Sequence, residues 1–219
     1  MPAKDTYVSL DALKLKHRRW RHYDIRLFDR LSDITVVSPH GGYIEAGTSY
    51  LARQIAASDL NLFDFQGLLK TDPHKLHVTS SRFKEPLLQE LLARSRLALA
   101  VHSMGVDGVG EVWIGGQNSA LVAKVCQHLR AAGFSARTDI PRYKGIHPQN
   151  FVNAATEKGV QIEISGDVLR SLFVDKKLFD KDDGNVTANA RLHDFVRACR
   201  CALGLPYEPL DYGLTQRGS

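Results

Sequence analysis

Four side chains form a chemical set: His40, Glu45, His102 and Glu163. His40 and Glu45 lie in Ser38–Thr48, a stretch that also holds Gly41, Gly42 and Gly47. Glycine gives up more backbone freedom on folding than any other residue. Three in so short a stretch point to a backbone shaped for a site. The apolar run Ile34–Val37 leads in, and a predicted helix, Ser49–Ala57, leads out. His102 closes a second apolar run, Leu97–Val101. Two histidines and one carboxylate are the donor set of catalytic zinc, which keeps a further position open. Each residue also has an ordinary explanation: His40 as a turn residue, Glu45 as a helix N-terminal acid, His102 as a core histidine. Together, three ligand-type residues at or just beyond strand ends favour one metal ion, Zn²⁺.

A hydrolytic zinc site also needs a base, and Glu163 is the candidate. In Val160-Gln161-Ile162-Glu163-Ile164 the apolar side chains face one way and Gln161 and Glu163 the other. A mid-strand carboxylate is costly to bury without a partner. An exposed sheet face explains the pattern equally well. Asn150 and Asn153 are amide donors suited to orienting a carbonyl or carboxylate, and turn formation is their simpler explanation. Gln161 is placed on the substrate side with Glu163. Arg142 and Arg170 are candidate carboxylate forks. His77 is read as surface or supporting, on a predicted strand Lys75–Thr79.

The elements that must position these groups alternate between strand and helix. Strands are predicted at Tyr23–Phe28, Ile34–Val37, Leu60–Phe65, Lys75–Thr79, Leu97–Val101, Glu111–Ile114 and Gly159–Ile164. Helices are predicted at Asp11–Arg19, with Asp11 as N-cap, and at Ser49–Ala57, Glu85–Arg94, Ser119–Ala132, Asp167–Phe173 and Ala188–Leu203. The pattern predicts an α/β fold with a mixed, mostly parallel central sheet and helices on both faces. In such sheets a site lies at the carboxyl ends of the strands. Asp180–Gly184 reads as a surface loop and Leu210–Ser219 as a frayed tail. One domain over residues 1–219 is expected, with a basic segment at 1–22 and a C-terminal tail at 205–219.

The chain has 219 residues, 43% hydrophobic and 24% charged, as a soluble globular protein has. No apolar run reaches the ~20 residues of a membrane span. The N-terminus lacks an apolar segment, so no signal peptide and a cytoplasmic location are expected. Cys126, Cys199 and Cys201 read as free thiols. The net charge of +5 suits a polyanionic partner. Part of the excess lies in Lys14–Arg21, which also permits a lower-ranked nucleic-acid reading.

Pro39-His40-Gly41-Gly42-Tyr43-Ile44-Glu45-Ala46-Gly47-Thr48-Ser49 resembles the signature of the phage poly-gamma-glutamate hydrolase family. Further segments resemble it in the same order: Phe63–Gly67, Leu76–Ser80, His102, Ile114–Gly116, Asn150–Asn153, and Gly159–Ser165 with Leu169-Arg170. The resemblance implies a zinc-carboxypeptidase-like fold, zinc on His40, Glu45 and His102, and Glu163 as general base. It implies hydrolysis of the gamma-linked amides of polyglutamate, a bacterial capsule polymer. A monomer released from the host by phage lysis is expected. Two departures matter. Ordinary zinc carboxypeptidases space the first two ligands His-x-x-Glu, whereas four residues intervene here. Ala154 stands where such enzymes carry an Arg after the second Asn. Chain-internal cleavage, or another Arg such as Arg142 or Arg170, then takes over the reading of carboxylates. A zinc hydrolase of the same fold acting on a cell-wall gamma-glutamyl bond or an acylated amino acid is the alternative.

Overall fold

The computed structural model describes residues 5–105, 107–174 and 188–207. The segments 180–184 and 210–219 lie outside these residues. Seven strands join one sheet: β1 (Tyr23–Phe28), β2 (Ile34–Gly42), β3 (Asn61–Gly67), β4 (Leu97–Ser103), β5 (Val112–Gly116), β6 (Ala136–Arg137) and β7 (Gly159–Ile164). Their order is β1-β3-β2-β4-β7-β5-β6. The central strands β3, β2, β4 and β7 run parallel, while β1 and β5 pair antiparallel to β3 and β7. The carboxyl ends of β2, β4 and β7 therefore emerge side by side.

The continuous apolar runs of β2 and β4 follow from burial on both faces. Leu97, Leu99 and Val101 enter one core layer with Leu51 and Ile55 of α2 (Thr48–Ala56) and Val125 of α4 (Ser119–Ala131). The same layer takes Leu169 of α5 (Gly166–Ser171) and Phe195 of α6 (Ala190–Ala202). Ala98 and Ala100 face the other layer, with Leu13 of α1 (Leu10–Lys16) and Leu91 of α3 (Pro86–Ala93). Phe83 meets Phe63, Phe65 and Phe151 in that second layer, with ring centroids 5.4–6.3 Å apart. Helices thus cover both faces, and each fully buried Leu or Phe contributes about 1.5–3 kcal/mol.

The predicted strand Lys75–Thr79 is absent. Asp72 takes a left-handed conformation at φ 53° before Pro73, and Pro73–Leu76 forms a 3₁₀ turn. His77 N–H closes it onto His74 O at 3.0 Å. Leu76 and Val78 are both buried, so a turn mimicked the two-residue period of a strand. The first helix also differs. Ser9, not Asp11, caps it by accepting from Ala12 N–H at 3.2 Å, and it stops at Lys16 rather than Arg19.

Candidate active site

The end of β2 is built by a bulge. Ser38 pairs with Asp64 and Gly41 with Gln66, so Pro39 and His40 oppose Phe65 alone. Proline has no amide proton to leave unpaired at such a point. The chain then folds back: Glu45 N–H donates to His40 O at 2.8 Å, and Thr48 Oγ donates to Glu45 O at 2.8 Å. Four intervening residues thereby bring the Glu45 carboxylate onto the His40 ring. The close packing needs glycine. A Cβ on Gly41 would sit 1.9 Å from Ser49 Oγ and 2.4 Å from Asp64 Oδ1, and Gly42 has φ +64° against the Gly67 backbone.

Three donor groups converge there. His40 Nδ1 lies 2.8 Å from Glu45 Oε1 and 3.2 Å from His102 Nδ1. His102 Nδ1 is also 3.7 Å from Glu45 Oε2, which accepts Ser103 N–H at 2.8 Å. His40, Glu45 and His102 are all buried. The far side of His40 fixes its tautomer. Nε2 faces Val78 O at 2.9 Å, and a carbonyl only accepts, so Nε2 carries the proton. Burial pushes the imidazole down to about 4, with His77 adding to the effect and Glu45 opposing it, which keeps the ring neutral. Its Nδ1 lone pair therefore points at a carboxylate and a second imidazole.

Burial would raise the Glu45 carboxyl, but His40 and His102 hold it well below the usual carboxylate range. Burial would lower His102, and the charges of Glu163 and Glu45 outweigh it and raise the ring. The pocket thus calls for positive charge among acceptor atoms. A divalent cation fits that donor set, and a ligand histidine with its second nitrogen on a carbonyl is the usual supporting arrangement.

Glu163 stands opposite His102 in the β4–β7 register. It is buried, and burial, with Glu45 adding to it, pushes its carboxyl up to about 7 against the pull of His102 and Gln161. Gln161 Nε2 donates to Glu163 Oε1 at 2.7 Å, and Asn150 Nδ2 donates to Gln161 Oε1 at 2.8 Å. This relay fixes the carboxylate from outside the donor cluster.

These groups line a cleft of about 890 Å³ that also includes Arg142, Asn150, Gln161, His77 and Arg82. Asn153 and Arg170 do not line it. The Asn153 amide donates to Gly145 O at 2.7 Å and His147 O at 3.2 Å, holding the 145–147 loop. Arg170 pairs with Asp107. His77, Arg82 and Asp5 border the cleft without having been singled out as site residues. His77 sits 3.9 Å from Glu45 Oε1 and is bonded to Asp5. The motif Leu76–Ser80 was the available signal for His77, whereas nothing in the sequence marks Asp5.

Comparison with known proteins gives a consistent result. Residues 7–198 match the family described as poly-gamma-glutamate hydrolase. The SPbeta prophage-derived UPF0714 protein YoqZ of Bacillus subtilis is 32% identical over 197 residues, covering 89% of this chain and 70% of that protein. A bacteriophage poly-gamma-glutamate hydrolase structure superposes with a TM-score of 0.87 at 29% identity, over 92% of this chain and 97% of the other. A zinc-free apo structure of YndL superposes at 0.82 with 27% identity, over 94% and 100% of the two chains.

Proposed function

We propose that this chain, which belongs to the poly-gamma-glutamate hydrolase family, is a zinc-dependent amidohydrolase that cuts the gamma-linked amides of polyglutamate. The carrying observation is the convergence of His40, Glu45 and His102 at the strand ends, with Glu163 opposite His102. His40, Glu45 and His102 hold one ion. Zinc, when bound, supplies Lewis-acid activation of the amide carbonyl and of the attacking water. Glu163 takes a proton from that water and delivers it to the departing α-amine. The new C–O bond and the broken C–N bond leave a γ-carboxylate and a free amine. Gln161 and Asn150 keep Glu163 aimed. Arg142 and Arg82, both exposed on the cleft, meet the α-carboxylate that every gamma-linked residue retains.

The described residues contain no helix long and apolar enough to cross a membrane. Residues 1–219 act as one hydrolase domain, as a monomer, made in the cytoplasm and released with phage lysis; the phage and prophage relatives support that setting. The nucleic-acid reading loses support because Lys14 pairs with Glu85 and Arg19 with Asp24. The test compares zinc content and polymer shortening in two variants. His40→Ala loses both zinc and cleavage. Glu163→Gln retains zinc and loses about 10²–10⁴-fold in rate. A Glu163→Gln protein that cuts polyglutamate at the wild-type rate contradicts the role given to this carboxylate. Equal turnover of short gamma-glutamyl peptides and polymer would shift the substrate to a smaller amide.

A further inference from the structure

The row of the sheet that carries His102 and Glu163 continues beyond them. Trp113 of β5 lies opposite Glu163, and Arg137 of β6 lies opposite Trp113. Directly opposed residues point to the same face of a sheet, so the Trp113 side chain stands on the side of the catalytic groups. It is buried and packs with Met104 and Ile140. A hydrogen bond fixes the indole: Nε1 donates to Glu111 Oε2 at 2.5 Å, and Arg137 Nη1 reaches Glu111 Oε1 at 3.3 Å. Two residues on, β5 presents Gly115 to the same face, opposite Gln161. A Cβ there would lie 2.2 Å from Lys144 O, so the missing side chain lets the chain around Lys144 lie against the strand. Gly116 N–H donates to Lys144 O at 2.8 Å, and the Asn153 amide holds Gly145 O at 2.7 Å. Tyr143 takes a left-handed backbone at φ 57°, a conformation that a bulky residue keeps only where its surroundings impose it.

These contacts build an aromatic seat for one cation. The Trp113 and Tyr143 ring centroids are 6.4 Å apart. The Arg142 guanidinium carbon lies 5.7 Å from the Trp113 ring centroid and 5.0 Å from that of Tyr143. At both distances a ring attracts a cation. Arg142 lines the cleft, and among the described residues no carboxylate pairs with it. We propose that Trp113 is the positioning residue for Arg142. With Tyr143 it seats the guanidinium as the reader of the α-carboxylate on a polymer unit beside the bond that is cut. The inference rests on the functional reading given above. A guanidinium resting on rings stays charged and keeps its planar fork for a carboxylate. Held in place beforehand, it loses less side-chain freedom when substrate arrives. Arg82, the other arginine on the cleft, has no aromatic seat among the described residues. Trp113 does not line the cleft and acts through Arg142.

The experiment uses the full-length zinc-loaded protein and gamma-linked glutamate oligomers. Arg142→Ala raises KM about 10-fold or more, with kcat less affected. Trp113→Leu removes the ring, leaves Arg142 in place and raises KM in the same direction. In the double variant the two losses do not add, because each removes the same grip. Trp113→Phe supplies a ring again and recovers much of the KM. Zinc content and thermal unfolding check that each variant is folded. A purely structural Trp113 would leave KM alone, or add its loss in full to that of Arg142→Ala. Trp20 and Trp113 are the two tryptophans of the chain, so Trp20→Phe leaves Trp113 as the sole indole. In that background, with Glu163→Gln to prevent cleavage, saturating polyglutamate shifts the Trp113 emission, and Arg142→Ala abolishes the shift. This readout stands even if Trp113→Leu does not fold. A folded Trp113→Leu protein with KM within twofold of wild type, losses that add in full, or an unchanged Trp113 emission overturns the inference while leaving the hydrolase reading intact. Wild-type protein that leaves the oligomers uncut overturns the functional reading and this inference with it.

Discussion

Glu163 is a carboxylate in a place where ionisation is opposed, and its energetics are separable from its catalytic role. Burial and Glu45 raise it to about 7, above the value of about 4.5 in an unfolded chain. A group whose folded pKa is raised contributes stability that is complete below the unfolded value and lost as pH climbs through the folded one. Without metal, wild type should therefore lose stability relative to Glu163→Gln between about pH 4.5 and 7. The difference is about 3 kcal/mol, read by urea unfolding of both apo proteins at several pH values. A constant difference across that range would show that Glu163 titrates normally. At this scale the sequence was most informative where strand and ligand coincide. His40, His102 and Glu163 each follow or sit in an apolar run that could be recognised from its period. Asp5 and His77 could not be found that way, because a 72-residue separation and an irregular turn bring them together.

The β2 bulge does for Glu45 what a fixed His-x-x-Glu spacing does elsewhere. Pro39 and His40 share one partner residue, and the chain returns to place Glu45 over the ring. Gly41→Ala tests this directly. Its methyl would collide with Ser49 and Asp64, both buried, so the return turn must shift. We expect a loss of about 1–3 kcal/mol together with reduced zinc content. Stability loss with full zinc content would separate the bulge from the site. A control far from the cleft is Arg200 on α6. Its guanidinium is nearly buried, donating to Ile55 O at 2.9 Å, Pro206 O at 2.9 Å and both Asp59 oxygens at 2.8–3.0 Å. Arg200→Met should cost about 2 kcal/mol in urea unfolding and leave zinc content unchanged. Most elements were legible because long apolar strands and capped helices carry strong periodic signals. The strand expected at 75–79 failed because alternating Leu76 and Val78 also satisfy a turn packed on the core.

At the scale of the molecule, one sheet organises everything. The parallel centre brings the ends of β2, β4 and β7 to a common edge, and the two helical layers leave that edge open as the cleft. This arrangement was readable from the alternation of strands and helices. The antiparallel placement of β1 and β5 was not, since it depends on where the connections cross rather than on any local pattern. The net charge of +5 sets the whole chain against a polyanion, and gamma-linked glutamates offer one carboxylate per residue. The central claim is that metal held by His40, Glu45 and His102 makes this surface a polyglutamate hydrolase. The most direct measurement follows the length of purified polyglutamate incubated with the full chain, before chelation, after chelation, and after zinc is restored. The account predicts shortening, then none, then shortening again as zinc reaches one equivalent. Shortening that continues undiminished in metal-free protein, or polymer left intact by the zinc-loaded chain, would contradict it.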